Sequence, residues 1–142
     1  ETLKIENKLK LDKVETFKNF FKNINNLKKR LNNLLRSIKD KNQNIHCYGA
    51  STKGNVLLQY YKINNKMINF VAERNTNKYG LFTPGTRIKI VSEKTSRNLK
   101  PNYYLVLPWH FKDEILKREK KTIKQGIKFI FPLPNIKIVS KI

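Results

Sequence analysis

The chain has 142 residues, a length typical of one compact domain. Lys and Arg total 31 against 10 Asp and Glu, a formal net charge of +21 that first suggests a nucleic-acid-binding protein. However, basic residues are spread along the whole chain, and 25 of the 31 are Lys, whereas Arg reads phosphates and base edges bidentately. The composition therefore predicts a solvated basic surface and no specific nucleic-acid partner.

Other broad classes are excluded on equally simple grounds. No apolar run approaches the ~20 residues that cross a bilayer, so we expect a soluble, cytoplasmic protein without a membrane partner. A lone Cys47, two distant histidines and few carboxylates predict neither disulfides nor a metal site. The first residue is Glu1 rather than Met, which suggests a segment of a longer chain.

The first predicted element is a long amphipathic helix over residues 14–38. Its apolar residues recur at steps of three and four, the period of a helix with one buried face. They are Val14, Phe17, Phe20, Phe21, Ile24, Leu27, Leu31, Leu34, Leu35 and Ile38. We assign residues 1–44 to this helix and its lead-in, and residues 45–142 to the remainder of one compact domain.

From residue 45 onwards, predicted strands alternate with predicted helices. In chain order they are a strand at 45–48, a helix at 56–61, a strand at 67–72, an extended piece at 88–91, a strand at 103–107, a helix at 111–125, and strands at 128–131 and 136–139. Such alternation is typical of parallel βαβ units. We therefore predict an α/β fold: a small Rossmann-like, doubly wound, mainly parallel sheet with the long helix packed on it. Residues 73–87 are long enough for a flexible loop.

The turn after the first strand, residues 49–55, is the first candidate site. Ser51, Thr52 and free amides at the helix start can hold an anion, Lys53 adds positive charge, and Asn55 ends the cluster. Lys53 precedes the last glycine, so the order is not that of a P-loop. A plain strand-to-helix turn with a Ser or Thr cap is the alternative.

Two further polar clusters follow predicted strands, where open α/β sheets bind ligands. Glu73 and Arg74 follow the second strand, and an acidic residue there holds a ribose hydroxyl in dinucleotide-binding units; a surface ion pair is the alternative. Trp109 and His110 follow a later strand and offer an aromatic plane and an imidazole, unless Trp109 is core packing. His46 and Cys47 are strand neighbours pointing to opposite faces, so they cannot form a catalytic pair.

Taken in order, these clusters carry a family resemblance. The segments 49–58, 73–80, 79–86 and 107–115 together resemble the C-terminal domain of nucleotide-sugar C-methyltransferases, a resemblance that covers residues 45 to about 139. Three positions depart from the family: Glu73 stands where Asp is usual, Thr76 where Pro is usual, and His110 where Asn is usual. Glu73 keeps the charge with a longer reach, and His110 either alters sugar choice or has no effect on it.

The resemblance implies a Rossmann-like domain that packs against a central S-adenosylmethionine-binding domain and helps to hold a nucleotide-linked keto-sugar. S-adenosylmethionine belongs to the full-length enzyme, and we expect none bound to this segment, nor its catalytic base. The implied sugar contacts fall on the three clusters: Ser51, Thr52, Lys53, Asn55, Glu73, Arg74, Trp109 and His110. The rival interpretations are a basic nucleic-acid-binding domain and a free-standing phosphate-binding Rossmann module.

Overall fold

A computed structural model describes residues 1–141, and two helices precede its sheet. The first, α1, spans Thr2–Lys8 and has no buried residue. The second, α2, spans Val14–Asp40, which confirms the predicted long helix. Its C-terminal half buries Leu31, Leu35 and Ile38 against the sheet, so the apolar stripe read from the sequence anchors the helix there.

The sheet has the strand order β3-β2-β1-β4-β5-β6, the order of a classical Rossmann fold. The strands are β1 (Ile45–Tyr48), β2 (Phe70–Glu73), β3 (Lys89–Ser92), β4 (Tyr103–Val106), β5 (Lys128–Phe131) and β6 (Lys137–Val139). The first five pair in parallel, and β6 pairs antiparallel with β5. Cys47 lies opposite both Val71 and Leu105 in the register. The predicted doubly wound, mainly parallel sheet is confirmed.

Helices cover both faces of this sheet. On one face lie α2 and α3 (Thr52–Tyr61), whose buried side chains join Cys47 and Leu105 in one core. On the other lie α4 (Glu93–Asn98), α5 (Lys112–Arg118) and α6 (Lys120–Lys124). The second core belongs to this face, and half of its buried side chains are aromatic. Its residues are Tyr48, Ala72, Tyr104, Val106, Ile115, Ile123, Phe129 and Phe131.

Several element boundaries differ from the prediction. The predicted single helix at 111–125 is wrong: a short 3-10 turn at Trp109–Phe111 leads into α5, and the helix breaks at Glu119 before α6. The strand predicted at 67–72 starts only at Phe70, and α3 starts four residues earlier than predicted, at Thr52. Residues 73–87 are held to β3 and the residue before it by backbone hydrogen bonds. Thr83 N–H donates to Ile88 O, and Gly80 N–H donates to Ile90 O.

The strand neighbours His46 and Cys47 point to opposite faces, as expected. Cys47 is fully buried, and burial raises the pKa of its thiol. His46 is buried on the other face, with Nδ1 2.8 Å from Ser96 Oγ, and burial lowers the pKa of its imidazole from 6.5 to about 4. The predicted opposite orientation of the two side chains is therefore what the structure shows.

None of the helices within residues 1–141 has both the length and the apolar character needed to cross a membrane.

Candidate functional site

A cavity of about 440 Å³ opens where three strands end. It lies at the carboxyl ends of β1, β2 and β4, where the chain order of the sheet reverses between β1 and β4. Open α/β sheets bind their ligands at such a switch point. We call this cavity the switch-point pocket; its lining is Tyr48, Gly49, Ala50, Ser51, Ala72, Glu73, Arg74, Lys78, Glu93, Pro108, Phe111, Glu114, Ile115 and Arg118.

The turn between β1 and α3 forms one wall of the switch-point pocket. Gly49 has φ +79°, and a Cβ there would lie 3.0 Å from the Pro108 ring. A Cβ on Gly54 would lie 2.4 Å from Leu107 Cβ. Both glycines are therefore needed for α3 to start tightly against the loop that follows β4.

Ser51 begins α3 as its N-cap. Its Oγ accepts a hydrogen bond from Gly54 N at 3.1 Å, the usual capping contact. The N–H groups of Thr52 and Lys53 lie in the first helical turn, where no preceding carbonyl of the helix can accept them. The turn is thus a capped helix start, and the binding of an anion by its first-turn N–H groups stays a prediction.

Glu73 ties β2 to the β1–α3 turn. Its carboxylate accepts the backbone N–H of Ala50 at 2.6 Å, of Arg74 at 2.8 Å and of Asn75 at 2.9 Å. Burial raises the pKa of Glu73, but the three N–H donors and the Lys78 ammonium outweigh it, so the pKa is lowered overall. The carboxylate is therefore ionised at neutral pH, and most of its acceptor capacity is used within the protein.

Lys78 brings a cation to the same wall. Its Nζ donates to Ala50 O at 2.9 Å and lies 4.0 Å from Glu73 Oε2. The side chain is 41% exposed, so its remaining protons face the solvent side of the pocket. Lys78 thus both fastens the loop after β2 to the β1–α3 turn and supplies positive charge beside it.

The opposite wall is an ion-pair network around Glu119, which is only 2% exposed. The Glu119 carboxylate accepts hydrogen bonds from Tyr48 Oη at 2.8 Å, Arg97 Nη2 at 2.8 Å and Thr122 Oγ1 at 2.6 Å. Arg118 donates to Tyr48 Oη, and its guanidinium carbon lies 5.4 Å from the Tyr48 ring centre. The network holds Arg118 over Tyr48 at the edge of the pocket.

Glu93 closes this network from α4. It accepts from Arg118 Nη2 at 2.8 Å and from Arg97 Nη2 at 3.2 Å. Burial raises the pKa of Glu93 and exceeds the lowering by Arg97. Burial alone would lower the pKa of Arg97, but Glu119 and Glu93 raise it overall. Two arginines and two glutamates thus neutralise each other beside the cavity.

Five of the eight predicted site residues line one of two neighbouring cavities. Ser51, Glu73 and Arg74 line the switch-point pocket together. Lys53 and Trp109 instead line a neighbouring apolar groove, where Trp109 is half-buried and packs against both cores.

The remaining three predicted residues line neither cavity in the part of the chain that the structure describes. Thr52 and His110 are exposed, and the His110 ring lies 4.3 Å from that of Phe111. Asn55 is half-buried, and its Oδ1 has no hydrogen-bond donor among residues 1–141. The contacts proposed for these side chains stay predictions.

Sequence reasoning missed the aromatic and charged residues of the pocket that come from other elements. Tyr48, Glu93 and Arg118 are far apart in the chain, and no local motif joins them. Lys78 belongs to one of the segments that carry the family resemblance, which was the one available signal. The strand order of the sheet brings these residues together, and that order cannot be read from the sequence.

The pocket's chemistry suits an anionic, hydroxyl-bearing ligand. Arg74, Lys78 and Arg118 bring three cations to its lining, and within residues 1–141 Arg74 has no ion-pair partner. The lining also holds three acids: Glu73 and Glu93 are already bonded to amides and arginines, and Glu114 is exposed. No group of three potential metal ligands occurs in the described residues.

Two comparisons with known proteins match the chain. The sequence model of the C-methyltransferase C-terminal domain matches residues 1–134. The C-methyltransferase NovU of Streptomyces niveus is 32% identical over 111 residues, which are 78% of this chain and 26% of that protein. The matched segment therefore spans about a quarter of the length of this curated relative.

Proposed function

Because the chain belongs to the C-methyltransferase C-terminal domain family, we propose that it is the nucleotide-sugar-binding domain of an S-adenosylmethionine-dependent sugar C-methyltransferase. In this proposal, its ligand is a nucleotide-linked keto-sugar. The methyl-transfer centre belongs to a further domain of the enzyme. The observation that carries the proposal is the switch-point pocket, which lies at the ligand-binding edge of this fold and brings Arg74 and Lys78 to the start of α3.

The pocket's layout supports a diphosphate at the start of α3. A diphosphate there would accept the first-turn N–H groups and the Ser51 hydroxyl proton, with Arg74 and Lys78 opposite. A sugar or ribose hydroxyl would donate to the free lone pairs of Glu73, which has the reach of one extra methylene over Asp. Each of these roles uses an atom that the protein leaves unsatisfied or exposed.

The residues of the β1–α3 turn do not fit S-adenosylmethionine. A cofactor that packs on a Gly-rich turn needs open space at the glycines, whereas Leu107 and Pro108 fill the space at Gly54 and Gly49. The sulfonium is a cation without phosphates, so Arg74 and Lys78 add nothing to its binding. We therefore assign the cofactor to another domain.

Calorimetry with nucleoside diphosphates tests the proposal. We expect the chain to bind the cognate member of a panel of uridine, thymidine and guanosine diphosphates. Arg74→Gln and Lys78→Gln, which change two cations of the pocket lining, should each weaken binding about ten-fold, equivalent to about 1.4 kcal/mol, more than the ~0–1 kcal/mol of an exposed ion pair.

Lys94→Gln is the matched control, because Lys94 is an exposed cation on α4 outside the pocket lining. Its affinity should equal that of the wild type. Loss of the same size in Lys94→Gln would show that only net charge matters. Unchanged affinity in both Arg74→Gln and Lys78→Gln would refute the assignment of the diphosphate to this turn.

A further inference from the structure

The apolar stripe of α2 continues beyond the sheet that buries it. Leu31 and Leu35 are 0% exposed, yet Val14 is 69%, Phe17 55% and Phe20 62% exposed. All five residues lie on one face of the same helix, because they follow its three- and four-residue period. The N-terminal half of α2 therefore carries a core-type face with nothing over it within residues 1–141.

An apolar groove of about 620 Å³ lies beside this exposed face. Phe20 and Phe21 form one side, and Val56 and Tyr60 of α3 form the other, with Trp109 and the Leu133–Pro134 pair completing the lining. Val56 is 64% exposed although it sits within a regular helix. Several large apolar residues that share one groove are typical of a contact surface, unlike scattered single ones.

We propose that this surface is the docking site for the methyl-transfer domain of the same enzyme. We name it the α2–α3 surface and define it by Val14, Phe17, Phe20, Phe21, Val56, Tyr60 and Trp109. The inference rests on the proposed function and adds the contact face. The occupant of the α2–α3 surface is thus the remaining part of the C-methyltransferase. In the relative NovU, the matched segment is about a quarter of the whole protein.

The position of the surface favours that occupant. The exposed half of α2 lies in the N-terminal part of a C-terminal domain, so it is close in sequence to whatever precedes that domain. Helix α1 and the residue that follows it expose Leu3, Ile5 and Leu9 by more than half each, as a segment that is covered in the whole enzyme would.

The groove also borders the switch-point pocket through two loops. In the β1–α3 turn, Ser51 lines the pocket and Lys53 lines the groove. After β4, Pro108 lines the pocket and Trp109 the groove. A domain docked on the α2–α3 surface would therefore stand next to a nucleotide-sugar held in the pocket, which is where a methyl donor is required.

Hydroxyl-radical footprinting of the full-length enzyme and of the 142-residue chain tests this inference. We expect Phe17, Phe20 and Phe21 to be oxidised at least five-fold more slowly in the full-length enzyme. Leu99 is 46% exposed at the end of α4, on the other face of the sheet, and should react equally in both. Equal oxidation of the three phenylalanines in both proteins would overturn the inference.

A charge placed on the surface gives the second measurement. In the full-length enzyme, Phe17→Asp should separate one thermal unfolding transition into two and lower methyl transfer at least ten-fold. The control is Asn19→Asp, which adds the same charge on the exposed, opposite side of the helix and should change neither. A single transition and full activity in Phe17→Asp would contradict the docking site.

Two further outcomes distinguish failure of the docking site from failure of the proposed function, and docking of another domain from self-association of the chain. Nucleoside diphosphate affinity should be the same in Phe17→Asp and wild type, so loss of nucleotide binding in both would overturn the proposed function instead. Protection of the phenylalanines that rises with the concentration of the 142-residue chain alone would assign the surface to a second copy and overturn the inference.

Discussion

The Glu119→Gln substitution probes the network that holds Arg118 at the pocket. Gln keeps the shape of the side chain but removes the charge that Arg97 approaches at 2.8 Å and Arg118 Nε at 3.4 Å. Removing one partner of a buried ion pair costs about 3–5 kcal/mol. Arg97 and Arg118 are 36% and 37% exposed, and both still form ion pairs with Glu93 in the variant. We therefore expect a loss of unfolding free energy at the lower end of this range, about 3 kcal/mol.

Urea and thermal unfolding followed by circular dichroism measure this loss. A decrease of about 3 kcal/mol corresponds to a melting temperature lower by roughly 10 °C for a chain of this size. Glu114→Gln removes an exposed acid from α5 and should cost less than about 1 kcal/mol. If Glu119→Gln is no more destabilised than Glu114→Gln, the carboxylate does not organise the network as described.

Three further predictions concern pH and partners. The unfolded chain binds a proton on His46 below pH 6.5 that the folded chain binds only near pH 4, so acidification from pH 7 to 5 removes about 2 kcal/mol of stability. Denaturant titrations should show this loss in wild type but not in His46→Gln, and equal losses would contradict it. The 142-residue chain should give no calorimetric signal with S-adenosylmethionine and transfer no methyl group, whereas micromolar affinity would show that it has its own cofactor site. Fluorescence anisotropy should detect only weak nucleic-acid binding that fades with salt and ignores sequence, since the charge is dispersed lysine; a tight, sequence-selective complex at physiological salt would support the nucleic-acid-binding interpretation.

Elements with an apolar period were readable from the sequence. The long helix and the strand Ile45–Tyr48 follow from their patterns, although the helix buries its apolar stripe only in its C-terminal half, whereas the strand is buried throughout. Helix α4 has no such pattern: its one buried residue is Ser96, which is held by His46 and Tyr104 through hydrogen bonds. A helix anchored by polar contacts with distant strands gives no local signal.

The break in the predicted helix at 111–125 has a similar cause. A periodic pattern continues through Glu119, and an acidic residue there reads as solvent-exposed. In the structure Glu119 is buried, and its partners Tyr48 and Arg97 come from β1 and α4. Tertiary ion pairing thus overrides the local period, and it also decides which charged residues reach the pocket.

The candidate site was readable only where it is local. Ser51 and Glu73 follow strands, and strand ends in a parallel sheet meet at one edge, so their meeting in one pocket follows from the fold class. Lys53 follows Ser51 by two residues yet lines the groove, because successive residues of a helix face different sides. Side-chain direction within α3 therefore separates residues that the sequence groups together.

Nuclear magnetic resonance titration tests the central claim, that the switch-point pocket binds the nucleotide-sugar, most directly. The 15N-labelled chain would be titrated with the nucleoside diphosphate selected by calorimetry, and separately with S-adenosylmethionine. We predict that the nucleotide shifts the amide signals of Ser51, Thr52, Arg74 and Lys78 at the same dissociation constant, while S-adenosylmethionine shifts none of them. Nucleotide-induced shifts that map outside the ends of β1, β2 and β4 would contradict the account.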